Sequence, residues 1–189
     1  MQNYRIIDRA TVSPVTLDEA REHLQLYGDG SYDTYLTSLL LVADEVVNSI
    51  IGEPIGVTEI VAWYQDFNNI ELPHRYATQV DSVQYYDDSN VLQTVDTSVY
   101  FFDQNARLPR VVLNNGQSWP GPNTSTRRDP VLVNYQVSVN AFAGDDIEHA
   151  ILLVLSDLFN SRSSTMEKPS PNVYLTAEAL LQRYRTFRW

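Results

Sequence analysis

The hydrophobic spacing of this chain changes twice along its 189 residues, and these changes limit the folds that it can adopt. Apolar residues recur at helical intervals up to residue 54, alternate at intervals of two over 55–143, and return to helical intervals over 144–189. Helices bury a stripe whereas strands bury a face, so the two patterns form separate layers. The sequence therefore predicts an α+β fold in which an antiparallel β module separates two pairs of helices.

The predicted helices are bounded by recognisable capping residues. Thr16 is followed three residues later by Glu19, which is the pattern of a capping box at a first helix. A second helix is expected to end at Gly52, and a third to begin at Asp145, where the helix dipole favours an acid. A Ser/Pro-rich linker then leads to a fourth helix, which the sequence predicts to start at Thr176.

The β module ends in its clearest strand. One side of this strand is apolar, with Val131, Val133, Tyr135, Val137 and Val139, and the other side is mostly polar. A strand of this kind covers a core on one side only.

These patterns divide the chain into three parts. The predicted parts are the N-terminal half of a helical core (1–54), an inserted β module (55–143), and the C-terminal helices with a terminal tail (144–189). Because neither helix pair alone would bury both of its apolar stripes, we expect all four helices to form one core.

No catalytic or metal-binding motif is found in the sequence. The chain has no cysteine, and its histidines, His23, His74 and His149, are not spaced as metal ligands. A net charge of -11 argues against wrapping nucleic acid, which requires a basic surface. Because no catalytic motif is found, we do not expect an enzyme. No pattern for export or membrane anchoring is present either, so we do not expect a membrane protein.

One loop has an unusual composition for an acidic protein. The stretch SWPGPNTSTRRDP, residues 118–130, contains Trp119 and the adjacent pair Arg127 and Arg128. Tryptophan and arginine are typical anchors of protein interfaces, although two arginines on a loop can also be simply solvated.

Like the loop 118–130, the C-terminal segment combines arginine with aromatic residues. Its net charge is opposite in sign to that of the rest of the chain. Residues 1–161 hold 8 basic and 22 acidic residues (-14), whereas 162–189 hold 5 basic and 2 acidic residues (+3). The chain ends in an alternation of arginine and aromatic residues. These are Arg183, Tyr184, Arg185, Phe187, Arg188 and Trp189. Such an end either folds back onto its own core or is captured by a partner.

Taken in order, these segments resemble the head–tail connector, or adaptor, proteins of tailed bacteriophages and gene transfer agents. The resemblance extends over nearly the whole chain. It rests on VTLDEAREHLQL, LLLVADEVVNSIIGEPI, LPRVVLNNGQSWP, the strand and third helix of VLVNYQVSVNAFAGDDIEHAILLVLSDLFNSR, and the ending ALLQRYRTFRW.

The resemblance implies a structural protein of the virion neck, made in the host cytoplasm. Such a protein forms a ring, usually of twelve copies, below the portal protein and supports the next neck, stopper or tail protein. Viral DNA passes through the ring without specific binding, and the family has no catalytic activity and no cofactor. The C-terminal residues 183–185 and 187–189 are then expected to dock on the portal. Trp119, Arg127 and Arg128 are expected at a contact with an adjacent subunit or the next neck protein.

Two other functions stay open at this level. Another non-enzymatic virion piece, such as a stopper or tail-completion protein, is one, although those proteins are mostly β. A small carbohydrate-binding or hydrolytic module is the other, since strand aromatics such as Trp63, Tyr64, Tyr85 and Tyr86 could stack on sugars.

Overall fold

The computed structural model describes residues 3–9, 13–28, 30–121, 127–143, 145–161 and 171–185. Within these residues lie four α-helices and eight β-strands, and every strand pair is antiparallel. The helices are α1 (Leu17–His23), α2 (Asp33–Ile51), α3 (Asp145–Asn160) and α4 (Pro171–Leu181). The strands are β1 (Asn3–Arg9), β2 (Thr58–Tyr64), β3 (Ile70–Glu71), β4 (Ala77–Tyr86), β5 (Leu92–Thr94), β6 (Tyr100–Asp103), β7 (Arg110–Leu113) and β8 (Val131–Val137). The predicted α+β class with antiparallel sheets is confirmed.

The chain divides into two compact units. A sheet unit comprises Met1–Arg9 and Val57–Ser138, and a helical unit comprises Ala10–Gly56 and Val139–Trp189. Each unit is therefore built from two separate stretches of the chain.

The sheet unit contains a five-stranded sheet in the order β1-β2-β8-β4-β5 and a three-stranded sheet in the order β3-β7-β6. The central strand is β8, in which Tyr135 lies opposite Ile60 of β2 and Val80 of β4. The predicted apolar side of β8 is fully buried, since Val131, Val133, Tyr135 and Val137 have no exposed surface. The one-sided alternation of its sequence is thus explained by a core against one face.

The first strand was not predicted. Residues 3–9 were assigned to the helical part of the chain, but they form β1 at the edge of the five-stranded sheet and pair with β2. The strand gives a weak sequence signal because it is charged, and because its register shifts between Ile6 and Asp8. Charges and a bulge are ordinary features of an edge strand, where only one side is paired.

The helical unit is built mainly on α2 and α3. Helix α2 contacts α1, α3 and α4, and α3 contacts α1 and α4. Apolar residues at helical spacing form a stripe that is buried along the whole length of α3, with Ile147, Ala150, Ile151, Val154, Leu155, Leu158 and Phe159. The structure thus places the apolar stripes of α2 and α3 in a core of this unit.

The predicted caps hold at α1 and α2. At α1, the Thr16 N–H donates to Glu19 Oε2 (2.7 Å) and the Glu19 N–H donates to Thr16 Oγ1 (3.2 Å), which completes the capping box. Helix α2 ends at Gly52, whose φ of 78° suits glycine, and the Gly52 N–H donates to the Asn48 carbonyl (2.9 Å).

Helix α4 begins five residues before the predicted start. Pro171 is its first residue, since the fixed φ of proline suits the first helical turn, and Thr176 lies inside the helix with its hydroxyl bonded to the Asn172 carbonyl (2.9 Å). Tyr27 after α1 and Leu180 in α4 follow the helical spacing of apolar residues in the sequence, but both are exposed.

Candidate partner-binding site

The surroundings of the three histidines differ in the described part of the chain. His74 is buried in the sheet unit, where its Nδ1 lies 2.6 Å from the Tyr135 hydroxyl and Tyr4 packs edge-on at 4.7 Å. His23 and His149 are exposed on helices. No group of three or more His, Asp or Glu side chains within the described residues could hold a metal ion. His74 is therefore a core residue of the sheet unit.

Trp119 lies half-buried among aromatic side chains of the sheet unit. Its ring stacks on Phe67 with centroids 4.8 Å apart and an interplanar angle of 6°, and Tyr100 lies 6.2 Å away. Offset stacking of this kind contributes about 0.5–1.5 kcal/mol beyond the burial of area. Trp119 therefore anchors the first half of the loop 118–130 to its own unit.

Arg127 is held against the turn between β4 and β5. Its guanidinium carbon lies 3.5 Å from the centroid of the Tyr86 ring, and its Nε donates to Asn90 Oδ1 (2.7 Å). A cation over an aromatic face at an exposed site contributes about 0.5–1 kcal/mol. The second half of the loop is thus fixed at Arg127, while residues 122–126 lie outside the described residues.

The turn that receives Arg127 is itself well ordered by hydrogen bonds. Asp87 accepts bonds from the backbone N–H groups of Ser89 and Val91 (both 2.9 Å) and from Gln93 Nε2 (2.8 Å). These bonds hold the pKa of Asp87 below its usual range, because they favour the ionised carboxylate. Arg127 therefore docks on a rigid hairpin end.

Arg128 differs from its neighbour. Its side chain is exposed and makes no ion pair with any residue that the structure describes. Of the two arginines, Arg128 is the one whose charged group is available to a partner.

At the C-terminus, two of the expected docking residues contact α3 of the same chain. Tyr184 is only 8% exposed, and its hydroxyl donates to Asp146 Oδ2 (2.9 Å). Arg183 forms an ion pair with the same carboxylate, and its guanidinium lies 4.8 Å from the Tyr184 ring. Both residues thus tie the short 3-10 turn Gln182–Tyr184 to the first turn of α3.

The remaining tail residues are only partly described. Arg185 is exposed and forms an ion pair with Glu178 of α4 through Nη1 and Oε1 (2.5 Å). Phe187, Arg188 and Trp189 lie outside the described residues. Docking on a partner stays a prediction for the whole set.

Sequence reasoning missed the partners of these side chains. The contacts of Arg127 with the β4–β5 turn and of Tyr184 with Asp146 join residues that are 37 and 38 positions apart. The sequence drew attention to the acidic pair at the start of α3, but only as acids that the helix dipole favours and not as partners of the C-terminal residues.

The four strand aromatics Trp63, Tyr64, Tyr85 and Tyr86 are all half-buried, and the Tyr64 hydroxyl donates to the Glu71 carbonyl (2.9 Å).

The fold is shared with solved structures of gene transfer agent particles. A chain in the virion of a native gene transfer agent particle aligns with a TM-score of 0.68 and 18% identity, over 98% of this chain and 96% of that one. A chain in the neck of an empty particle, computed with C6 symmetry, gives 0.66 and 19%, over 96% of both chains. A chain in the neck of a native particle, computed with C12 symmetry, gives 0.64 and 18%, over 100% and 97%.

Two comparisons by sequence find no match. No protein-family model matches the chain, and no curated protein matches it. The likeness to the neck structures therefore establishes a common fold, and at that level the resemblance seen in the sequence is confirmed: this chain has the fold of chains that occur in gene transfer agent necks.

Proposed function

We propose that the protein is a head–tail connector of a tailed-phage-like particle, with a structural and not an enzymatic role. The observation that carries the proposal is the agreement of fold over nearly the entire length of both chains with a virion component, at a TM-score of 0.68. A match of this extent includes both the sheet unit and the helical unit, so it does not reflect one common motif alone. The sequence resemblance to connector proteins points to the same role.

The proposed assembly is a ring of twelve copies below the portal protein. Two of the matched neck structures were computed with C6 and C12 symmetry, which supports a rotationally symmetric assembly for a chain of this fold. A ring requires two different surfaces on each copy, because one face of a copy meets another face of its neighbour.

The charge of the chain suits a DNA channel. A net charge of -11 on each copy gives a ring with a strongly negative potential, which repels phosphate groups and opposes binding of the duplex to the wall. The ring would thus extend the channel of the portal while DNA passes through it without specific contacts.

The contacts with partners are assigned to two regions. Arg128, on a loop fixed by Trp119 and Arg127, would meet an acidic surface of the adjacent subunit or of the next neck or tail protein. The C-terminal residues Arg183, Tyr184, Arg185, Phe187, Arg188 and Trp189 would form the portal-docking end, with Tyr184 as its internal anchor. All four helices would form one core that carries this C-terminal end. The contacts of α2 with α1, α3 and α4 are the evidence for a common core.

The proposal is tested by native mass measurement and negative-stain imaging of the protein with and without the portal protein of the same particle. Alone, the acidic copies repel one another at low salt, so we expect a monomer or weak oligomer, and we expect rings on the portal. Absence of rings on the portal would refute the connector function. Stable rings of the pure protein would refute only the requirement for the portal as a template.

A further inference from the structure

Helix α4, all of which the structure describes, leaves an apolar patch exposed beside its buried side. Its buried residues are Ala177 and Leu181. Pro171, Tyr174 and Leu175 are exposed, and Leu175 is exposed to 60%. Residues three and four positions apart lie on the same side of a helix, so these three side chains form one continuous patch. We call this patch the α4 stripe.

The end of the described chain is held beside the α4 stripe. Arg185 Nη1 forms an ion pair with Glu178 Oε1 at 2.5 Å. Glu178 lies three residues after Leu175 and four after Tyr174, so its side chain is the next one along the same side of the helix. The guanidinium of Arg185 is therefore drawn back along α4 toward the stripe.

The chain leaves its last helical turn in an extended conformation. The backbone at Arg185 has φ -64° and ψ 128°. In an extended chain, every second side chain lies on the same side. If this conformation continues, Phe187 and Trp189 lie on the side on which Arg185 meets α4, and Thr186 and Arg188 lie on the other.

The four residues after Arg185 are long enough to cover the whole α4 stripe. Residues 186–189 lie outside the described residues. At about 3.3 Å per residue, an extended segment of this length spans about 13 Å. From Glu178 back to Pro171 the helix rises by about 10 Å, at about 1.5 Å per residue. The chain thus ends close to the point at which the stripe ends.

We propose that, in the free protein, Phe187 and Trp189 pack on the α4 stripe of the same chain. Phe187 contacts Tyr174 and Leu175, and Trp189 lies next to Pro171. The contact removes apolar surface on both sides from water. Because the same two aromatic residues are assigned to portal docking, it keeps them covered until the portal displaces the stripe. This second step rests on the proposed function, whereas the contact itself does not.

The ion pair of Arg185 with Glu178 makes the tail of the same chain the favoured occupant of the stripe. A short segment that is attached beside its site reaches an effective concentration of about a millimolar or more. The tail of a second copy competes only at the concentration of the protein in solution. The contact is therefore expected within one chain.

Disulfide formation tests the contact, because the chain has no cysteine and each introduced thiol is unique. One variant carries Leu175→Cys and Phe187→Cys. The matched control carries Leu180→Cys and Phe187→Cys. Leu180 is also exposed (40%) and is nearer to residue 187 in sequence, but it lies on another side of α4 from the stripe. Under mild oxidation, we expect an intramolecular disulfide about tenfold faster in the first variant than in the control.

Mass spectrometry of the alkylated proteins measures both rates and the size of the products. Equal rates in the two variants would overturn the proposal. A covalent dimer in place of the intramolecular disulfide would also overturn it, since the stripe would then hold the tail of a second copy.

A second variant keeps both aromatic residues of the tail. Leu175→Asp places a charge in the stripe and should release the tail, so that trypsin cleaves after Arg185 and Arg188 roughly fivefold faster than in the parent. Leu180→Asp adds the same charge on another side of the helix and should be cleaved at the rate of the parent. Equal cleavage of the three proteins would contradict the contact.

Binding to portal-bearing capsids of the same particle tests the second step. Release of the tail removes a state that cannot dock, so Leu175→Asp should bind roughly fivefold more tightly than the parent, and Leu180→Asp should bind like the parent. Unchanged binding of a Leu175→Asp protein whose tail is released would overturn the role of the contact in docking, although the connector function then stands. Absence of binding by all three proteins would refute portal docking and with it the second step, while the disulfide assay decides the contact on its own.

Discussion

The hydroxyl of Tyr184 donates a hydrogen bond to Oδ2 of Asp146 at 2.9 Å, and this bond fastens the end of the described chain to the start of α3. The same carboxylate pairs with Arg183, and the ring of Tyr184 is almost fully buried. A segment expected to leave the core and meet a partner is therefore tied to the core as far as residue 184. The sequence left two interpretations of the C-terminus open, namely folding back onto its own core and docking on a partner. In our proposal, folding back applies to the first part of this segment and docking to the part that follows it.

Tyr184→Phe should lower the free energy of unfolding by about 1 kcal/mol, because it removes the hydrogen bond to Asp146 but keeps the buried ring. Chemical denaturation measures the change. Tyr174→Phe, at a more exposed tyrosine of α4, is the control and should have an effect below about 0.5 kcal/mol. Equal effects of the two substitutions would mean that the Tyr184 hydroxyl does not stabilise the fold.

Two truncations should separate docking from folding. Removal of 186–189 leaves Tyr184 in place and should abolish binding to portal-bearing capsids, measured by co-sedimentation. Removal of 183–189 also deletes the buried Tyr184 ring and should cost roughly 3 kcal/mol of stability. If the chain that ends at Arg185 still binds the portal normally, the last four residues do not form the docking element.

Substitution of the two loop arginines by alanine should give opposite results. Arg127→Ala loses the contact with Tyr86 and the bond to Asn90, so it should lower stability by about 1 kcal/mol. Arg128→Ala should leave stability within about 0.5 kcal/mol and weaken assembly into the neck. Thermal unfolding and ring formation on the portal measure the two effects. A destabilised Arg128→Ala or an unaffected assembly would remove Arg128 from the proposed contact.

The sequence predicts those parts of the fold that depend on burial along one element. The faces of β8 and α3 could be assigned because every second or every third to fourth residue is apolar, and their buried residues agree with that pattern. Strand β1 could not be predicted, since its stability comes from pairing with β2, whose partner residues lie 49 to 60 positions away, and not from its own composition.

The candidate site was less predictable than the fold. Composition singled out Trp119, Arg127 and Tyr184, but it could not indicate that Phe67, Tyr86 and Asp146 are their partners. These contacts depend on how strands and helices are placed in three dimensions, which residue types alone do not fix. Composition therefore identifies side chains of the types common at interfaces, but it does not show which of them already contact other residues of the same chain.

Leu40→Ala and Leu155→Ala should each cost roughly 2–5 kcal/mol, because both side chains are buried in the helical unit and their removal leaves a cavity. Leu41→Ala is the matched control on the same helix, since half of this side chain is exposed, and it should cost less than about 0.5 kcal/mol. Urea denaturation measures all three. A loss below about 1 kcal/mol at both Leu40 and Leu155 would contradict the assignment of the buried helical faces.

Asp44 should make the stability of the protein depend on pH. Burial raises the pKa of Asp44 from 3.8 to about 6, although the Ser13 hydroxyl donates to its carboxylate at 2.9 Å and opposes the shift. Because the folded protein holds this proton more tightly than the unfolded chain, Asp44 reduces stability as the pH rises through this range, and the reduction is complete above about pH 6. Asp44→Asn should therefore be more stable than the parent above that pH, by about 1 kcal/mol for a partly exposed carboxyl, with no difference below roughly pH 4.

Ser13→Ala removes the hydrogen-bond donor to the ionised carboxylate of Asp44, so it should increase the loss of stability at neutral pH. Denaturation of the three proteins between pH 4 and pH 7.5 measures these differences, and a constant gap between Asp44→Asn and the parent across roughly this range would contradict a raised pKa at Asp44.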